Sequence, residues 1–191
     1  MTDSTAHERA GKRERLIAAA GDLLHQRGAS TTTLAQVAEA ARVPTGNVYY
    51  YFKTKDDLVR AVIDARSDQV RAMLDRLRSE NDPVARLKAL ANQWVEMRDL
   101  VARYGCPFGT LAAELDRRDD GLDEHAARPI VLILDWAEEQ FREWERPDPR
   151  TQAVAFFAAV QGGALLANAL RDPDLMTTQV RHVESWLDAQ R

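Results

Sequence analysis

Apolar residues along this chain recur at the three- and four-residue spacing of helices, and near the N-terminus the pattern predicts two short helices. Thr33 precedes the first apolar stripe and Gln36 stands three residues later, which is the spacing of a capping box. A turn over residues 42–44 follows, with Val43 expected to be buried between the two helices. The second helix is predicted over residues 45–51.

A third, longer helix follows at once. Thr54 and Asp57 form its start signal, and it is predicted to run over about residues 55–78. Two short helices joined by a tight turn and continued by a long helix are typical of a helix-turn-helix unit that binds DNA. A preceding helix over about residues 9–27 completes the unit, so we expect a DNA-binding domain over residues 9–54.

The remainder of the chain, residues 55–191, predicts a larger helical domain. Further helices are expected over about residues 83–104, 108–118, 129–144, 150–170 and 178–189. The segment 153–170 is apolar nearly all round, as expected of a helix that is buried on several sides. Because no strand pattern of period two appears, the predicted fold is all-α, with about nine helices in an N-terminal three-helix unit and a larger C-terminal domain.

The segment TTLAQVAEAARVPTGNVYYYFKTKDDL, residues 32–58, resembles the DNA-binding segment of TetR/AcrR-type transcriptional repressors. The shared features are a threonine-capped helix, a tight turn, a Tyr-x-x-Phe sequence and Lys55 at the start of the next helix. Arg42 stands where the family usually has glycine, and Pro44 where it usually has serine. An arginine forced to positive φ costs about 1 kcal/mol. The resemblance implies a repressor that binds a palindromic double-stranded DNA operator as a homodimer.

Composition and charge agree with a soluble regulator. The 191 residues are 45% hydrophobic, and no apolar run approaches the roughly 18 residues of a membrane helix. We therefore expect a cytoplasmic protein with no membrane partner, and the single Cys106 excludes an internal disulfide. Residues 1–58 carry eight basic and seven acidic side chains, a net charge of +1 that leaves −5 for the rest of the chain. This asymmetry has the sign expected of an N-terminal DNA-binding domain.

Polar side chains around the second short helix are candidates for DNA contact. The predicted DNA-binding residues are Thr33, Gln36, Thr45, Gly46, Asn47, Tyr49, Tyr50 and Lys55. Asn47 is expected to read a base, because an asparagine amide can bond to adenine through two hydrogen bonds. Lys55 and Thr33 are expected to bind phosphates. Packing alone is the alternative for residues 49–51, and the basic cluster over residues 12–15 is either a solvated face or a further phosphate contact.

In the resembled family the C-terminal domain encloses an effector pocket, and the aromatic residues of this region are candidates for its walls. The predicted ligand-binding residues are Trp94, Met97, Phe108, Leu132, Trp136, Phe157 and Gln161. Taken singly, each aromatic is more often plain core than a ligand wall. Gln161, a polar residue in an apolar run, would orient the ligand or bond within a dimer interface. Few charges are expected there, so the effector is predicted to be a small hydrophobic or aromatic compound.

The homodimer is expected to form through the last two helices, which would pair with those of a second copy into a four-helix bundle. Gly162 and Gly163 would allow close helix approach in that interface, or serve internal packing of the same helix. The long helix over residues 55–78 begins in the DNA-binding unit and continues into the second domain. It is therefore the expected mechanical link through which an effector would change DNA binding.

Catalytic chemistry finds little support in the sequence. Four histidines are scattered without ligand spacing, and no nucleotide-binding or nucleophile motif occurs, so no catalytic residue, metal site or cofactor is predicted. The acidic cluster over residues 116–124 leaves a helical-bundle enzyme as the alternative, against a solvated connection between helices. Cys106 precedes a helix start, which allows either a redox sensor or a small packing residue at a tight junction.

Overall fold

The computed structural model describes the backbone of residues 2–191 and the side chains of residues 11–191. All regular elements in the described chain are α-helices, as predicted. In order they are α1 Thr2–Arg27, α2 Leu34–Ala40, α3 Thr45–Tyr51, α4 Lys55–Leu77, α5 Pro83–Glu96, α6 Arg98–Tyr104, α7 Gly109–Leu115, α8 Leu122–Glu143, α9 Pro149–Leu170 and α10 Asp174–Asp188. Helix α1 begins at Thr2, earlier than the predicted start near Arg9.

The chain divides into two compact units. The first comprises Met1–Arg66 and Thr110–Ala127, and the second comprises Ser67–Gly109 and Arg128–Arg191. Leu111 and Leu115 of α7 are buried in the same apolar cluster as Leu16 of α1, which explains why this later segment belongs to the N-terminal unit. The predicted boundary between residues 54 and 55 therefore does not coincide with the division by packing.

Helices α1 to α4 of the first unit enclose one apolar core. Its members include Leu16, Ala20 and Leu24 of α1, Val37 of α2, Val48 of α3, and Leu58 and Val62 of α4. Val43 in the turn and Phe52 after α3 are 4% and 2% exposed, so both face inward as predicted. This burial determines which side of α3 remains outside.

The second unit begins with a well-defined helix start. Oδ1 of Asp82 accepts a hydrogen bond from the Ala85 N–H at 2.9 Å, and Pro83 occupies the first helical position. The single helix predicted over residues 83–104 is two helices, since the backbone leaves helical geometry at Met97. No glycine or proline marks that break in the sequence. If α5 and α6 are counted as one helix, the described chain has the predicted number of about nine helices.

Helix α8 begins earlier than predicted. It starts at Leu122, and Pro129 lies in its interior instead of opening it. Oδ1 of Asp120 accepts a hydrogen bond from the Leu122 N–H at 3.3 Å and so supports this start. Asp123 and Glu124 occupy the first turn, where the helix dipole favours carboxylates. Part of the acidic cluster is therefore helical, which corrects the expectation of a solvated connection throughout residues 116–124.

Helix α9 buries one face and exposes another. Phe156 and Val160 are buried, whereas Leu165 and Leu170 are 69% and 66% exposed. The expectation of burial on several sides is therefore wrong for the single chain. By length and composition α9 is also apolar enough to cross a membrane, which corrects the expectation that no segment is. The core helix of a soluble protein passes the same test, so this property is weak support for a membrane helix.

Candidate DNA-binding surface and effector site

A capping box defines the start of α2. The Gln36 N–H donates to Oγ1 of Thr33 at 3.3 Å, and the Thr33 N–H donates to Oε1 of Gln36 at 2.9 Å. The reciprocal arrangement satisfies two backbone donors that the first turn of a helix leaves unpaired. The predicted capping box is confirmed, and it holds the exposed Thr33 side chain at the N-terminus of α2.

The turn between α2 and α3 adopts the strained geometry expected from its sequence. Arg42 has φ of 54°, a left-handed conformation that costs an arginine about 1 kcal/mol. The Val43 N–H donates to the Ala38 carbonyl at 2.9 Å, and the Val43 side chain is buried. The burial of Val43 helps to hold this conformation, so the unusual Arg42 does not change the motif.

The outward face of α3 carries the residues predicted to contact DNA. Thr45, Gly46, Tyr49 and Tyr50 are exposed, and Asn47 is partly exposed. A Cβ atom added to Gly46 would meet no atom within 4 Å, so the backbone there is open to an approaching molecule. Tyr49 is 53% exposed, so about half of its surface is available for contact outside the core.

Lys55 lies at the start of α4 and is bound to the turn that follows α1. Its Nζ donates to the Ala29 carbonyl at 2.5 Å and approaches the Ser30 carbonyl at 3.4 Å. A lysine ammonium has three donors, so these contacts leave one N–H for a phosphate. In the N-terminal basic cluster, the Arg13 guanidinium lies 5.5 Å from the centre of the Phe52 ring, and this contact leaves the choice between solvated face and phosphate contact open.

Three predicted effector residues lie together in the second unit. Trp94 packs edge to face against Phe108 and Phe157, with ring centres 6.4 and 5.5 Å apart. Nε1 of Trp94 and Nε2 of Gln161 are buried and have no hydrogen-bond partner in the described part of the chain. Oε1 of Gln161 lies 3.2 Å from the position that a Cβ on Gly109 would take. The region thus combines aromatic surface with unsatisfied donors.

Leu132 and Trp136 line a different space. They form the floor of a groove of about 260 Å³, and its other lining residues are Arg71, Leu74, Asp75, Arg78, Asp135 and Glu139. Met97 is half-buried at the break between α5 and α6. The seven predicted wall residues are therefore divided between the aromatic cluster, the groove and the helix break.

The acidic segment over residues 116–124 forms ion pairs within the first unit. Arg118 donates to both carboxylate oxygens of Asp56, at 3.1 and 2.6 Å, and also pairs with Asp120. The hydrogen bond from Arg118 holds the pKa of Asp120 below its usual value. Among the described residues, no group of three or more His, Cys, Asp or Glu side chains could hold a metal ion.

Sequence reasoning missed two residues of this unit, Glu114 and Arg118, which bind residues of the α1–α2 turn and of α4. Both lie in the α7 region, about fifty positions or more after the helix-turn-helix, and no spacing rule connects them to it. Cys106 is buried at 5% exposure beside the start of α7.

Two family models match the chain. The model described as bacterial regulatory proteins, tetR family, matches residues 16–62, which include α2, α3 and their turn. The model described as a tetracyclin repressor-like C-terminal domain matches residues 83–183.

Relatives match nearly the whole chain. It is 30% identical to the HTH-type transcriptional regulator TtgR of Pseudomonas putida, over 98% of this chain and 93% of that protein. It is 25% identical to the HTH-type transcriptional repressor NemR of Escherichia coli, over 97% and 96%. The solved structure of regulatory protein TetR from Rhodobacter sphaeroides has a TM-score of 0.80 at 27% identity, over 90% of this chain and 96% of that one.

The helix-turn-helix fold and these matches define a DNA-binding transcriptional regulator. The chain belongs to the TetR family of bacterial regulatory proteins. The family and its members are regulators and not enzymes, so the alternative of a helical-bundle enzyme acting through residues 116–124 is set aside.

Proposed function

We propose that this regulator is a cytoplasmic repressor that binds a palindromic operator as a homodimer and is released by a small hydrophobic or aromatic effector. The observation that carries the proposal is the outward face of α3, where two tyrosines and an asparagine are accessible. Folding alone does not account for large aromatic side chains that stay exposed. The Escherichia coli relative is named a repressor, which favours repression over activation.

Helix α3 enters the major groove in this proposal. The groove admits an α-helix, and Asn47 reads adenine through its amide. Thr45 and Tyr50 share base and phosphate contacts from the same face, while Tyr49 contributes a phosphate contact. Gly46 lets the helix backbone approach the DNA, because the space around its Cα is open.

Phosphate contacts from α2 and α4 fix the register of α3 on the duplex. Thr33 and Gln36 lie at the N-terminus of α2, and the exposed Thr33 hydroxyl is close to backbone donors of the first turn. Lys55 supplies the charge, since its ammonium keeps one donor beyond those bound to the α1–α2 turn. Such contacts position the protein without carrying sequence information.

A homodimer covers the exposed face of α9. The exposed stripe carries Val154 and small residues toward the N-terminus and leucines toward the C-terminus: Val154, Ala155, Ala158 and Gly162, then Leu165, Leu166 and Leu170. Antiparallel pairing of two α9 helices about Gly162 would place Leu166 of each copy against Ala158 of the other, and Leu170 against Val154. This self-complementarity is what a two-fold symmetric interface requires.

Helix α10 completes the interface. A recess of about 220 Å³ lies between α9 and α10, and its lining residues are Ala155, Ala159, His182, Val183 and Trp186. In the antiparallel pairing, a leucine from the partner's α9 would occupy this recess. Two half-sites about one helical turn of DNA apart, or a multiple of that distance, then follow from the dimer symmetry.

The effector is expected to be an aromatic molecule that carries hydrogen-bond acceptors. Buried unsatisfied donors cost about 1–3 kcal/mol each, and acceptor atoms on a ligand would satisfy Trp94 Nε1 and Gln161 Nε2. The rings of Phe108 and Phe157 offer edge and face contacts. Met97, Leu132 and Trp136 are the remaining proposed walls. About tenfold preference for the state that does not bind DNA supplies roughly 1.4 kcal/mol of coupling per site.

Capture of genomic fragments by the purified protein, followed by sequencing, tests the operator proposal. We expect a palindromic sequence to be enriched, and sedimentation at micromolar concentration to give a dimer. For the effector, a panel of neutral aromatic compounds is titrated while tryptophan emission and operator release are followed. A true effector changes both over the same concentration range. Recovery of fragments without a common sequence, or a monomer in solution, would contradict the corresponding part of the proposal.

A further inference from the structure

The turn between α1 and α2 is held by a carboxylate from a distant part of the chain. Oε2 of Glu114 in α7 accepts a hydrogen bond from the Ala29 N–H, and Oε1 accepts one from the Ser30 N–H, each at 2.6 Å. Successive backbone N–H groups in a turn form a concave site that binds anions, and here the anion belongs to the protein. Although desolvation raises it, these backbone hydrogen bonds and the charge of Lys55 together lower the pKa of Glu114.

Glycine is required beside this contact. Gly28 ends α1 with φ of +84°, a conformation that side chains rarely adopt. A Cβ atom there would lie 3.0 Å from Oε2 of Glu114, so a side chain would also displace the carboxylate. The hydroxyl of Thr32 donates to the Gly28 carbonyl at 2.7 Å and fixes the exit of the turn toward Thr33.

Lys55 binds the carbonyl groups of the same turn. Glu114 holds the N–H groups of Ala29 and Ser30, while Nζ of Lys55 donates to the Ala29 carbonyl at 2.5 Å. The position of the ammonium therefore depends on a turn whose position depends on Glu114. The α7 region holds α4 at a second point, because Arg118 pairs with Asp56, the neighbour of Lys55.

We propose that Glu114 is a positioning residue for DNA binding, which fixes the α1–α2 turn so that Lys55 and the N-terminus of α2 are presented to the DNA backbone. The inference rests on the proposed phosphate contacts of Lys55 and Thr33. It gives α7 a share in operator affinity, although α7 lies far outside the helix-turn-helix in sequence. The chain passes from the second unit to the first between Gly109 and Thr110, at the start of this helix.

The test compares Glu114→Gln with a matched control, Asp116→Asn. Both changes raise the net charge by one, and Asp116 is an exposed carboxylate on the same segment. In Glu114→Gln the amide oxygen still accepts from one N–H, but the NH₂ group faces the other donor. Binding is measured by fluorescence anisotropy on a duplex that the parent protein selects from a randomised pool. We expect Glu114→Gln to bind it about tenfold more weakly, and Asp116→Asn to stay within about twofold of the parent.

A double-mutant cycle distinguishes positioning from a general loss of stability. If Glu114 acts in part through Lys55, the loss caused by Glu114→Gln is smaller in a Lys55→Ala background, where only the contribution of the α2 N-terminus remains, whereas independent effects add in full. Hydrogen exchange at the Ala29 and Ser30 amides should become faster in Glu114→Gln, while circular dichroism confirms that the variant is folded.

Parent-like or tighter binding by Glu114→Gln, or additive losses in the cycle, would overturn the inference. Such a result leaves the proposed operator contacts intact if Lys55→Ala alone still weakens binding. A parent protein that selects no sequence from the pool would overturn the proposed function, and this inference with it.

Discussion

Two tyrosines on the outer face of α3 and the aromatic residues in the core of the second unit occupy opposite environments. On α3, Tyr49 and Tyr50 are 53% and 64% exposed, whereas in the second unit Trp94, Phe156 and Phe157 are at most 3% exposed. Burial of an aromatic side chain stabilises a fold, so Tyr49 and Tyr50 contribute less to folding than the buried rings, and their exposure at the surface needs another reason. In the second unit the same residue type is explained by packing, and burial does not distinguish a core residue from a ligand wall.

The largest expected difference follows from replacing one aromatic in each unit by alanine. Trp94→Ala should lower the free energy of unfolding by about 3–5 kcal/mol, because it removes a large buried side chain and leaves a cavity. Tyr50→Ala should change it by less than about 0.5 kcal/mol, since the ring is mostly in solvent, yet weaken operator binding. Denaturant unfolding at a fixed protomer concentration measures the change in the free energy of unfolding for each variant.

Two results would contradict this contrast between the exposed Tyr50 and the buried Trp94. A small effect of Trp94→Ala on unfolding would mean that the aromatic cluster already encloses empty space, which favours a preformed effector cavity. A large effect of Tyr50→Ala on unfolding would mean that the contact between the Tyr50 and Tyr51 rings, 5.1 Å apart, is structural. The alternative of packing alone for α3 would then gain support.

The two units also differed in how far the sequence predicted them. In the first unit the predicted start of α2 after Thr33 and the predicted bounds of α3 agree with the structure, because local signals determine them: the capping box at Thr33 and Gln36, and the turn that ends in Pro44. The break at Met97 in the second unit was missed, and so was the start of α8 at Leu122, in the later segment of the first unit. No glycine or proline marks the break at Met97, whereas the start of α8 has local signals that lie outside its apolar pattern: the acceptor Asp120 and the acidic first turn.

The residues of the candidate site also differ in whether local sequence signals predict them. The outward residues of α3 were predictable, because Val48 and Phe52 face the core and leave the opposite side exposed. The contact of Glu114 with the α1–α2 turn joins residues 85 positions apart, and no local pattern in a single sequence signals such a pair. The effector walls were predictable only as apolar residues, since ring contacts depend on how separate helices pack.

The next largest effects concern DNA and separate two kinds of contact in the first unit. Asn47→Ala should lose about 1–3 kcal/mol of discrimination at one base position, because it removes a bidentate contact. Lys55→Ala should weaken binding to every sequence and reduce the slope of log affinity against log salt by about one. Affinities for the selected duplex and its single-base variants, measured at several salt concentrations, test both. If both variants bind like the parent, α3 does not read the operator.

A pair of adjacent glycines in α9 tests packing in the second unit. A Cβ on Gly163 would lie 2.8 Å from Cβ and Cγ of Gln179 in α10, whereas a Cβ on Gly162 would meet nothing within 4 Å. Gly163→Ala should therefore cost about 1–3 kcal/mol of stability through overpacking. Gly162→Ala is the matched control and should stabilise the folded chain by about 0.4–1 kcal/mol in denaturant unfolding.

The same two glycines also test where the proposed dimer interface lies. Gly163 serves packing within the chain, so of the two glycines only Gly162 is left to allow close approach of a second copy. Sedimentation of Gly162→Leu should show a weaker dimer, because a large side chain at the crossing point separates the two α9 helices. A dimer of unchanged affinity would place the interface elsewhere.

The smallest expected effect concerns the N-terminal cap of α5. As in the capping box of α2, a side-chain oxygen there accepts a hydrogen bond from a backbone N–H of the first turn. Asp82→Ala should destabilise the second unit by about 1 kcal/mol, because the Ala85 N–H loses its acceptor, whereas Asp82→Ser should retain most of the cap. The hydrogen bond from the Ala85 N–H is the largest cause that lowers the pKa of Asp82; desolvation opposes it, and the charge of Arg191 adds to the lowering. A lowered pKa means that the ionised carboxylate contributes stability above the unfolded value of about 3.9, and that this contribution is lost as pH falls through the lower folded value. The stability difference between the parent and Asp82→Ser should therefore shrink as the pH is lowered from about 5 to below 3.9. A difference that does not change with pH would show that the charge of Asp82 contributes nothing beyond the neutral hydrogen bond of a serine.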